Sequence, residues 1–165
     1  MRRVASRQGG MVLVEALVAV LLFMVGMLGL AGAWSQSIGY EADTEYRGQA
    51  TKLAAAMANT IWLNVDRSSP AAAAASLQSF AHLQTSNGNC NFSGTPSANA
   101  LVTAWAGKIT DGQEGDVTAR LPGATAAMQQ IVVNPANANQ VTIALCWQSS
   151  TDAVPRQYVL RTYIN

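Results

Sequence analysis

Two cysteines, one histidine and a carboxylate set in an apolar run are the residues of this chain with chemistry to offer. Cys90 and Cys146 match no zinc-ligand spacing, and His82, the lone histidine, adds too few donors for a metal site. In a domain carried across a membrane, such a pair reads as a disulfide. His82 would act as a base only if a serine and a carboxylate converged on it. It falls at the end of PAAAAASLQSFAHL, a stretch helical by propensity with a low-complexity loop as the alternative, between Phe80 and Leu83, and is expected to be structural. The acidic DGQEGD, residues 111 to 116, lacks the alternating Asp/Asn pattern and terminal Glu of a calcium loop. No glycine-rich phosphate loop follows a strand. These residues predict no enzyme, no cofactor and no metal.

The carboxylate is Glu15, in RQGGMVLVEALVAVLLFMVGMLGLAGAW. From Ala16 to Ile38 there is no charged residue, a run of 23 positions. A helix needs about 20 such residues to cross a bilayer. Arg2, Arg3 and Arg7 precede the run, and Glu41, Asp43 and Glu45 follow it, which keeps the N-terminus cytoplasmic. Trp34 and Tyr40 stand where aromatic residues anchor at the far interface. The run is too long for a cleaved secretory signal, and no A-x-A-like site closes it. An uncleaved anchor fits length and flanks, with Glu15 snorkelling toward the cytoplasmic interface, but gives Glu15 no purpose. A cut between Gly10 and Met11 gives it one. Met11 then carries a free α-amine, and Glu15, four residues on, shares its helix face. The carboxylate can pair with that amine or with the amine of a neighbouring subunit.

A short basic leader ending in glycine, a cut before a hydrophobic residue, Glu at the fifth mature position and an apolar helix together resemble the class III signal peptide of type IV pilins and of the related pseudopilins of type II secretion. The resemblance implies that a membrane prepilin peptidase cleaves after Gly10 and methylates the Met11 amine, and that Glu15 serves assembly. Met11 stands where phenylalanine is commonest in that family. The helix-breaking proline that major pilins often carry is missing, and Gly26, Gly29 and Gly32 occupy that neighbourhood. Each glycine weakens a helix by about 1 kcal/mol relative to alanine, and each also permits close packing between spans.

Helical patterning continues past the apolar run. Tyr46, Ala50, Leu53, Met57, Ile61 and Val65 recur three or four residues apart, an amphipathic stripe expected against a core. One helix from about Val12 to Val65 would extend roughly 80 Å. Asp66 to Pro70 ends it, with Ser69 as N-cap and Pro70 as first residue of the next helix. Residues 85 to 98 read as a loop holding Cys90, and ANALVTAWAGKI as a short helix. AMQQIVV, QVTIALCWQ and RQYVLRTYI are rich in β-branched and aromatic residues and predict an antiparallel meander. Val141, Ile143, Leu145 and Trp147 share one face of the middle strand, and Cys146 points the other way, where a covering loop can meet it.

The expected fold is α+β: a long N-terminal helix, half membrane-spanning and half amphipathic, packed on a small C-terminal antiparallel sheet. The expected division is a basic leader over 1–10, a transmembrane and assembly helix over 11–38, and a periplasmic head over 39–165. This layout resembles the pilin fold. GMLGLAG, YRGQATKLAAAMANTIW, Trp105 ahead of the RLPG turn and a strand ending in Trp147 resemble minor pilins of the PilV type. The resemblance implies a subunit of the inner membrane that enters a pilus at or near its tip and helps prime its assembly. Its implied partners are other minor pilins, the major pilin and the prepilin peptidase. A type II secretion pseudopilin and an uncleaved, membrane-anchored periplasmic binding module are the alternatives. The net charge of +1 gives no basic face for nucleic acid. Without the first ten residues the balance is seven basic against nine acidic side chains.

Overall fold

The computed structural model describes residues 9–112 and 120–164, with side chains left aside at 9–10 and 35–40. The leader arginines Arg2, Arg3 and Arg7, and most of the acidic turn DGQEGD, lie outside the described residues. The chain divides into two compact units, Met1–Thr44 and Glu45–Asn165.

Helix α1, Gly9–Asn64, contributes residues to both units. Its segment Met11–Trp34 has a mean hydropathy of 2.7 and buries none of its side chains. Leucine, methionine and alanine favour the helix, and no interior proline breaks it. This segment is long and apolar enough to cross a membrane.

In the second unit, the stripe on α1 meets its core. Ala50, Met57 and Ile61 are buried, with Ala54 beside them and Val65 just past the end of α1, while Tyr46 and Leu53 are half-buried against the same cluster. Fully burying a side chain the size of Ile or Met is worth about 1.5–3 kcal/mol. At the helix end, Arg67 donates from Nη2 to the Trp62 carbonyl (2.6 Å) and from Nη1 to the Val65 carbonyl (3.2 Å), and its guanidinium stacks over the Trp62 ring. It thereby serves carbonyls that the helix itself leaves without partners. Asp66 accepts the Ser68 N–H (2.8 Å), and that bond holds its carboxyl below the usual carboxylate range.

Helix α2, Pro70–Gln78, begins as expected: Ser69 Oγ accepts the Ala72 N–H (3.1 Å), and proline takes the first turn. It ends earlier than its composition predicts. Phe80 turns into the core, and His82 leaves the helix to form an antiparallel bridge with Ile131. A buried sheet edge with unmet backbone groups outweighs helix propensity here. The expected loop contains a two-stranded hairpin, β1 (Thr85–Ser86) with β2 (Phe92–Ser93), and turns through Gly88, Asn89 and Cys90 at positive φ. Helix α3, Ala100–Thr110, is capped by the Asn99 side chain, which accepts the Leu101 N–H (3.0 Å).

Strands β3 (Gln129–Asn134), β4 (Gln140–Trp147) and β5 (Arg156–Tyr163) form the expected antiparallel meander in that order. Val141, Ile143, Leu145 and Trp147 join the main core with Ala50 to Ile61 of α1. Cys146 and Ala144 face the other side, under Leu83, Cys90 and Phe92. The long helix and the hairpin thus cover opposite faces of one sheet. Trp105 of α3 adds a polar tie, donating its indole N–H to the Leu53 carbonyl (3.0 Å). Ahead of β3, Gly123 sits at φ +61, where a Cβ would collide with the Gln148 carbonyl.

Candidate assembly segment

The Gly10–Met11 bond lies one helical turn before Glu15 in α1. Residues 11 and 15 are four apart in a regular helix, so both side chains project from one face. Met11 and Glu15 are exposed, as are Leu13, Leu17 and Leu21 around them. Glu15 therefore stands on a bare apolar surface. A carboxylate placed there in a dry surrounding requires a cation.

The other residues with chemistry lie in the second unit, in two separate places. Cys90 and Cys146 form a disulfide, with Cα atoms 5.8 Å apart. Cys146 is completely buried on β4 and Cys90 nearly so in the turn of the hairpin. The bond fastens the hairpin over the outer face of the sheet, where Leu83, Phe92 and Met128 pack around it.

His82 is placed by its bridge to Ile131, with N–H to carbonyl distances of 3.0 and 2.9 Å. Its Nδ1 accepts the Ser97 N–H (3.1 Å), which puts the proton of the neutral ring on Nε2. The Ser97 hydroxyl donates instead to the Ser79 carbonyl (2.9 Å) and accepts the Asn99 N–H (3.3 Å). Ser97 thus approaches His82 through its backbone. Burial pushes the imidazole below its usual range, so it is held neutral. Its geometry is that of a structural acceptor tying the 95–99 segment to the sheet edge.

One open groove of this unit is lined by Gln78, Gln84 and Asn99 with Ala81, Pro96 and Ala98 among them, and another by Gln49, Arg120 and Gln148 with Tyr46 and Pro122. Among the described residues no three His, Cys, Asp or Glu side chains converge as a metal site would require. Asp111 caps the C-terminus of α3, and the acidic residues after it lie outside the described residues.

The sequence pattern of β5 indicates only a strand. It stands at one edge of the sheet, and a period-2 pattern cannot say which strand occupies an edge. Comparison of the chain with family models, with curated proteins and with solved structures found no match.

Proposed function

We propose that this chain is a minor type IV pilin, a structural subunit that waits in the inner membrane and then enters a pilus by packing its apolar stem among other stems. One observation carries the reading: a span apolar on every side holds a lone carboxylate, Glu15, one turn after the Gly10–Met11 bond. The apolar surface lets the helix exchange a lipid surrounding for one of equivalent helices. The carboxylate gives that exchange a register, because in a dry bundle it needs a neighbour's α-amine. The α+β head with its sheet, and the disulfide suited to the periplasm, support the same reading. The partners are then the prepilin peptidase, other minor pilins and the major pilin.

Mass spectrometry of the protein from its own membrane tests this directly. The expected product starts at Met11, lacks residues 1–10 and carries a methylated amine. Gly10→Val blocks the cut and leaves the precursor in the membrane. A mature chain that retains Arg2 overturns the reading in favour of an uncleaved anchor. A deletion strain that keeps its pili but loses protein secretion transfers the subunit to a type II secretion pseudopilus.

A further inference from the structure

The two edges of the sheet are treated differently. The β3 edge is closed by the chain itself. His82 exchanges two backbone bonds with Ile131, Gln84 Oε1 accepts the Val133 N–H (3.3 Å), and Gln130 Nε2 donates to the Leu83 carbonyl (2.7 Å). The β5 edge pairs with β4 on one side and, among the described residues, with no strand on the other.

The ladder fixes which groups that edge presents. Ile164 N–H donates to the Asn139 carbonyl (3.2 Å), continuing the register in which Gln140 faces Tyr163. Antiparallel pairs alternate between bonded and non-bonded. Thr162, Leu160 and Tyr158 therefore turn their backbone groups toward β4, and Gln157, Val159, Arg161 and Tyr163 turn theirs away. The far side of β4 agrees: Ile131 gives its groups to His82, which leaves those of its partner Ile143 for Leu160. Four residues of β5 thus offer N–H and C=O groups in register at an open edge.

The same four side chains lie on the exposed face of the strand, with Val159 at 41% and Tyr163 at 53% accessible. Arg156, at the strand's start, is held by Asp152 (Nη2 to Oδ1 2.8 Å). Arg161, in the middle of the row, has no ion-pair partner among the described residues. An open edge invites another strand, and a central cation selects which one. The described strands of this chain carry no acidic residue, so strand-to-strand pairing of two copies through them sets no carboxylate beside Arg161.

We propose that the β5 edge docks an extended segment of a different subunit, which pairs with the backbone of Gln157 to Tyr163 and sets an aspartate or glutamate beside Arg161. This inference rests on the assembly reading above and names how the head takes its partner.

The test uses the full chain in its own cell envelope, with a photo-crosslinking residue at Tyr163 and a control at the exposed Leu101 of α3. The Tyr163 probe is expected to yield one discrete peptide of another subunit, with an acidic residue in it. Arg161→Glu is expected to cut that adduct by about tenfold, by setting like charges together. Val159→Pro is expected to do the same, since it removes an N–H that faces the open edge and leaves the bonds to β4 intact. The Leu101 adducts stay unchanged in both variants. An adduct to a second copy of this chain, or one that survives Arg161→Glu, overturns the proposal. So does the lack of an adduct in fibres that contain the chain. A chain that enters no fibre overturns the assembly reading as well, which separates the two failures.

Discussion

Cys90, in a turn at φ +61, is bonded across 56 residues of chain to Cys146, buried on the outer face of the central strand. The hairpin it holds has strands of two residues each, too short to stand alone. Leu83, Phe92 and Met128 supply its packing, and the disulfide supplies its tether.

Loss of that tether should destabilise the head. Closing a loop of this length is worth roughly 4 kcal/mol in the chain-entropy model, and removal of native disulfides costs about 2–5 kcal/mol. Replacing Cys90 and Cys146 together by alanine is expected to lower the denaturant midpoint accordingly, with the main sheet retained. Thiol titration of the unreduced, denatured wild type should find no free thiol. Two titrating thiols would rule the bond out.

Most of the architecture was legible because the periodicities were clean. The stripe from Tyr46 to Val65 has helical spacing, and Val141 to Trp147 alternates with Cys146 turned away, so both the core face and the disulfide face could be read. Ser69–Pro70 marks a helix start by chemistry that no tertiary context overrides. The reading failed where tertiary pairing decided. Alanine-rich propensity carried the predicted helix through His82, but the chain leaves the helix to close the β3 edge. Gln129 and Gln130 are adjacent and both buried, although a glutamine in a strand ordinarily marks the solvent side. Gln130 is explained by its bond to Leu83 at the closed edge, a partner 47 positions away. Glu15 was legible as an anomaly of type in place, and its partner, if the assembly reading holds, belongs to another chain.

His82 gives the head a pH dependence of predictable sign. Burial lowers its pKa in the folded protein below the ordinary 6.5, while the unfolded chain keeps the ordinary value. Below pH 6.5 the unfolded state therefore takes up a proton that the folded state refuses. Stability should be flat above that pH and fall as the pH drops toward the lowered pKa. Protonation also turns Nδ1 from an acceptor into a donor facing the Ser97 N–H. His82→Asn, whose amide oxygen can still accept that N–H, should flatten the profile between pH 7 and 5. His82→Leu leaves the Ser97 N–H buried without an acceptor and should cost about 1–3 kcal/mol at neutral pH. Urea midpoints measured across this range decide it; equal slopes for wild type and His82→Asn would assign the pH dependence to other groups.

Glu15 should matter for assembly and not for processing. On the assembly reading a peptidase must recognise the Gly10–Met11 bond and the basic leader, and Glu15 supplies neither. If the span crosses a bilayer with its N-terminus cytoplasmic, the carboxylate lies near that interface, where it stays hydrated, so Glu15→Ala should insert as well as the wild type or better. Glu15 is exposed on α1 and belongs to the first unit. The head of the variant should therefore keep its disulfide and its wild-type denaturant midpoint. A fibre is different. There, on the proposed reading, the carboxylate offsets a neighbour's α-amine away from water, and deleting one partner leaves the other charge unpaired at about 3–5 kcal/mol. That corresponds to at least a hundredfold weaker incorporation, since about 1.4 kcal/mol is a factor of ten. Quantifying the variant in sheared fibres against the membrane fraction reads this ratio. A Glu15→Ala chain that is cut at Met11 yet scarce in fibres is the expected result. One that enters fibres at the wild-type level would make Glu15 a charge that merely reaches the interface, and the register of the stems would have to come from the heads.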